Sequence, residues 1–144
     1  MAEERIEASM RITPIRTLPL AALAALFFSP NLVWAQRDMI SKKPLHSPAA
    51  AKGFVGGESH DSYVIRAAKD QTISVHISWH READNQAEFT VSQSANFYDS
   101  AQVAFGKMTN KGTRWSGIVP TTGEYYIYVV AHPAAHYTLR VTVK

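Results

Sequence analysis

From Phe54 onward the chain is written in short runs of alternating apolar and polar residues. The clearest is TISVHISW (72–79), with Ile73, Val75, Ile77 and Trp79 on one side and Ser74, His76 and Ser78 on the other. A period of two is the pattern of a β-strand with one buried face. Before it, SYVIRA puts Tyr63, Ile65 and Ala67 on one side, and Lys69-Asp70-Gln71 turns the chain. After it, AEFTVSQ offers Phe89 and Val91, AQVAFGK offers Val103 and Phe105, and MTNKGT is a turn before Trp115. VPTTG (119–123) is a corner leading into EYYIYVVA, with Tyr125, Ile127 and Val129 facing inward. HYTLRVTV closes the chain with Tyr137, Leu139, Val141 and Val143 inward. No stretch carries a helical period. Strands at this spacing, bounded by Gly, Asp, Asn and Pro, predict an all-β, antiparallel sandwich of seven or eight strands in two sheets.

The first part of the chain reads differently. Arg11 and Arg16 precede LPLAALAALFFSPNLVWA, an uncharged apolar run ending in a small residue. That order predicts a secretory signal over residues 1–35, cleaved after Ala35, with translation starting at Met10. Leu18 to Phe28 is too short for a spanning helix, which needs about 20 apolar residues. QRDMISKKPLHSPAAAK (36–52) has two prolines and no apolar period, and reads as a flexible leader to a domain over 53–144. Export sets the compartment as periplasmic or secreted.

Composition narrows the chemistry. The chain has 144 residues, a net charge of +3 and no cysteine, so thiol catalysis and thiolate metal sites are excluded. The charge is too small and too scattered for a nucleic-acid footprint. Ser, His and Asp occur without triad spacing, and WSGIVP is not a nucleophile elbow. No catalytic residues and no cofactor are expected. His132 and His136 flank Pro-Ala-Ala in the stretch VVAHPAAHYTL. That spacing stacks two imidazoles on a helix, but here it predicts the tip of a hairpin joining the last two strands. Metal binding through these histidines is the least favoured of three readings. His76 and His80 stand about 13 Å apart along one strand, too far to share an ion.

The outward side of the last two strands is more suggestive. Tyr126, Tyr128 and Arg140 alternate with the core set, and a hairpin would place these three on one sheet surface, with Ser116, His132 and His136 as further contact groups. Aromatics and arginine are enriched in binding hot spots. These six residues form the predicted partner-binding surface.

GGESHDSYVIRAAKDQTISVHIS (56–78) has the form G-x-x-x-x-D-x-Y, a turn and an alternating strand, and WSGIVPTTGEYYIYVV with YTLRVTV completes it. Together these resemble the bacterial pre-peptidase C-terminal domains, small jelly-roll sandwiches of secreted proteins. They are also similar to the free-standing periplasmic members of that fold that inhibit g-type lysozyme. The resemblance covers about residues 53–144 and implies a binding protein, with a lysozyme-like protein as partner and occlusion of its cleft as mechanism. An envelope glycan stacked on the exposed tyrosines is the alternative.

Overall fold

A computed structural model describes residues 41–144. The predicted signal segment, residues 1–35, and the start at Met10 lie outside the described residues.

Nine strands form two sheets. They are β1 (Lys43–Pro44), β2 (Ala49–Gly56), β3 (Asp61–Ala67), β4 (Thr72–Trp79), β5 (Gln86–Ser92), β6 (Gly106–Thr109), β7 (Arg114–Ile118), β8 (Gly123–His132) and β9 (Ala134–Val143). One sheet has the order β1-β3-β8-β5 and the other β2-β9-β4-β7-β6. All pairings are antiparallel except β1 with β3. The predicted sandwich is therefore observed, with nine strands where seven or eight were expected. The additions are short or weakly patterned: β1 has two residues, and β2 is an edge strand.

The alternation predicts the core well. Tyr63, Ile65, Ile73, Val75, Ile77, Phe89, Val91, Trp115, Tyr125, Ile127, Val129, Tyr137, Leu139 and Val141 are all buried between the sheets. Val103 and Phe105 pack against this core from a loop, not from the strand expected there. Among the described residues, β6 and β7 are the only sequential strands that pair with each other. Asn110, Lys111 and Gly112 make their turn in the left-handed region.

The expected domain boundary at residue 53 falls inside β2. Ala49 to Lys52 pair with Val141 to Thr138 of β9, which would otherwise present an unpaired edge. Ser47 extends the contact by accepting from the Val143 N–H (2.7 Å) and donating to its carbonyl (3.2 Å). The stretch lacks an apolar period because only Val55 is fully buried, while Lys52 and Phe54 face solvent.

A polar chain ties the two sheets together. Tyr63 of β3 and Tyr137 of β9 meet hydroxyl to hydroxyl at 2.6 Å, and Tyr137 donates to Asp61. Tyr137 has only one proton to give, so Tyr63 must donate to it. Asp61 in turn accepts from Lys43 Nζ at 2.5 Å. A Cβ at residue 53 would stand 2.5 Å from both Asp61 Oδ2 and the Tyr137 hydroxyl, so the network needs Gly53 beside it. Burial, then the hydrogen bonds to Asp61 and Tyr63, push the Tyr137 phenol far above its usual value of 10. A phenol whose folded pKa is raised stabilises the fold below the unfolded value, and the gain is lost as pH climbs past about 10. Asp61→Ala removes the charged acceptor and strands a buried phenol. It is expected to cost about 1.5–3 kcal/mol in chemical denaturation, and a change below 0.5 kcal/mol (about the spread of an ordinary surface substitution) would refute the role.

Candidate functional site

The six predicted partner-binding residues do not form one surface. β8 and β9 belong to different sheets, so Tyr126 and Tyr128 lie across the sandwich from Arg140 and Ser116. The expected hairpin between them is instead a corner at His132-Pro133. The reason is hydrogen bonding. β8 is already paired on both edges by β3 and β5, and β9 by β2 and β4, which leaves neither an edge for the other.

Tyr128 does face away from the main core, as the alternation requires, yet it is 1% exposed. The segment after β5 folds over it. A single 3₁₀ turn at Phe97–Asp99, capped by Asn96, brings Phe97 edge-on to Tyr128 with centroids 5.5 Å apart. His60 stacks on Phe97 at 3.9 Å and meets Tyr128 edge-on at 6.1 Å, and the Tyr128 hydroxyl donates to the Ser94 carbonyl at 2.7 Å. The same segment then covers the free edge of β5, where Val91 N–H donates to Gln102 Oε1 and Val103 N–H to the Val91 carbonyl. Tyr126 is half-buried and donates to Glu124 at 3.0 Å; burial and that bond raise its phenol pKa. The two tyrosines thus offer no open stacking platform. His132 is exposed at the end of β8, and His136 leans on Phe54 across the β9–β2 ladder with ring centroids 4.6 Å apart. Among the described residues no three His, Asp or Glu side chains are placed to hold a metal ion.

Arg140 and Ser116 do come together, on the outer face of the five-stranded sheet. One register row runs across all five strands as Ala50, Arg140, His76, Arg114 and Thr109. The next row is Thr142, Ser74, Ser116 and Lys107, with the two serine hydroxyls 3.0 Å apart. A shallow cavity of about 290 Å³ opens over these two rows, lined by Ser74, His76, Ser116 and the two arginines.

Charge is divided unequally between the sheets. β2, β4, β6, β7 and β9 contain Lys52, Lys107, Arg114 and Arg140 and not one Asp or Glu. The acidic strand residues, Asp61, Glu88 and Glu124, all belong to the other sheet. There Asp61 holds Lys43, and Glu124 holds Arg66 at 3.4 Å. Arg114 and Arg140 have no carboxylate partner among the described residues. His76 separates the two arginines in this row, and each would face a protonated imidazole as a like charge directly opposite, which destabilises a sheet. His76 registers it: partial burial, then Arg114, then Arg140 lower its pKa below the usual 6.5. Arg114 was missed in the sequence because it opens a short strand after a turn. The signal that would have found it is the absence of acid from every outward position of these strands.

Comparison with known proteins adds the following. No family model matches the chain, and no curated protein matches it by sequence. Among solved structures, it is similar to Aeromonas hydrophila PliG, a periplasmic lysozyme inhibitor of g-type lysozyme. The TM-score is 0.58 at 21% identity, covering 73% of this chain and 97% of that one. It is also similar to the pre-peptidase C-terminal domain of a Bacillus anthracis collagenase, with a TM-score of 0.51 at 19% identity, covering 75% and 99%. Both are likenesses of fold.

Proposed function

We propose that the protein is an exported binding protein without catalytic activity, which inhibits a lysozyme by covering its cleft with the outer face of the five-stranded sheet. The observation that carries this reading is the acid-free row of Arg140, His76 and Arg114, open to solvent and lacking counter-charges. Glycosidase clefts carry paired carboxylates flanking the scissile bond, and a rigid basic face is their electrostatic complement. Such complementarity speeds encounter and selects partners more than it adds raw affinity. The Aeromonas protein of the same fold supports both the choice of a lysozyme as partner and the periplasm as compartment. No helix among the described residues is long and apolar enough to cross a membrane.

The test is a lysis assay. Purified protein is mixed with g-type, c-type and i-type lysozymes, and the clearing of cell-wall suspensions is followed. Inhibition of the g-type enzyme at micromolar protein, weakening as salt is added, is the expected result. Undiminished lysis by all three would end this reading.

A further inference from the structure

His76 sits at the middle of the cationic row, and among the described residues no anion surrounds it. Across the β4–β9 ladder it faces Arg140, with Thr138 and Thr142 on either side. Across the β4–β7 ladder it faces Arg114, with Ser116 beside it. Along its own strand it has Ser74 and Ser78, and the next strands out supply Thr109 and Lys107 on one side and Ala50 and Lys52 on the other. Every charged group around the imidazole is therefore positive. Its place in the cavity lining puts it within reach of anything that docks between the two arginines.

We propose that this row is a proton-linked carboxylate site: His76 takes up a proton when an acidic segment of a protein partner docks between Arg140 and Arg114, so affinity rises as pH falls. This rests on the reading of the sheet as the docking face. In the free protein partial burial disfavours an imidazolium, and the two guanidiniums add to that. An arriving carboxylate supplies the missing opposite charge, which favours the protonated ring. Linkage makes the effect reciprocal, since a ligand that promotes protonation is itself bound more tightly by the protonated form. In the free protein the sign is opposite. A histidine whose folded pKa lies below its unfolded value destabilises the fold as pH falls below about 6.5, because the unfolded chain binds the proton more readily.

The experiment uses fluorescein-labelled triglutamate as the probe, with fluorescence anisotropy at pH 5.5 and pH 7.5 and constant ionic strength. Wild type is expected to bind several-fold more tightly at the lower pH, with about tenfold as the ceiling for one unit of pKa shift. His76→Gln should cut this ratio below about twofold, whatever its affinity at either single pH. In a parallel NMR titration of the wild type, saturating triglutamate should move the His76 imidazole midpoint upward; this reading stands even if the variant folds poorly. The proposal is overturned by an unmoved midpoint, by equal affinities at the two pH values, by a ratio that persists in His76→Gln, or by no saturable binding. No lysozyme enters the measurement. Proton-linked binding without lysozyme inhibition would leave the site standing and remove only that partner, and inhibition without proton linkage would do the reverse.

Discussion

Reversing both arginines of the sheet row, Arg114→Glu with Arg140→Glu, is expected to abolish inhibition while leaving the fold intact. Both side chains are exposed and neither is paired with a carboxylate, so the folded protein loses no ion pair. The double reversal replaces two attractions toward an acidic cleft with two repulsions. Removing one partner of a close interfacial charge pair costs about 2–5 kcal/mol, so two reversals should weaken binding by at least a hundredfold. Thermal stability at neutral pH should hold, because neither arginine gives up an ion pair and His76, with its lowered pKa, is uncharged there. Arg66→Glu is the control. It changes charge on the other sheet, where the Arg66 side chain is 85% exposed, and inhibition should survive it. Full inhibition by the double variant would place the contact surface elsewhere.

Trp115→Ala should give the largest loss of stability. Trp115 is 2% exposed, lies opposite Val75 on β4 and Met108 on β6, and meets Phe105 edge-on at 5.6 Å. Its ring leans over β6 so closely that a Cβ at Gly106 would overlap the indole, so this strand pair is built around one side chain. Removing it opens a void that two glycine-containing strands cannot fill, and truncating a buried tryptophan costs about 3–5 kcal/mol. For a domain of this size that lowers Tm by at least about 12 °C. Trp115→Phe should be much milder, since the indole N–H is buried without a hydrogen-bond partner and its loss removes that penalty. Denaturation midpoints of the two variants decide the matter, and equal losses would show that the unpartnered N–H carries no cost.

Much of this protein is legible residue by residue. The inward set from Tyr63 to Val141 follows from strand alternation, because a side chain's face is set by its neighbours in the chain. The same rule assigned Tyr128 and Arg140 correctly to outward positions. It could not reveal that Tyr128 is roofed by Phe97, thirty-one positions earlier in the chain. Nor could it separate a hairpin from a corner at His132-Pro133, since either turn leaves the alternation of both flanking strands unchanged.

The sequence by itself therefore determined the fold class, the core faces and the lack of thiol chemistry, all of which depend on composition and local period. Only the tertiary structure decided which strands share a sheet. Pairing is settled by long-range competition for strand edges, and β8 and β9 each found two other partners. That competition broke up the surface expected around Tyr126, Tyr128 and Arg140. It also set Arg140, His76 and Arg114, which lie on three separate strands, side by side in one row.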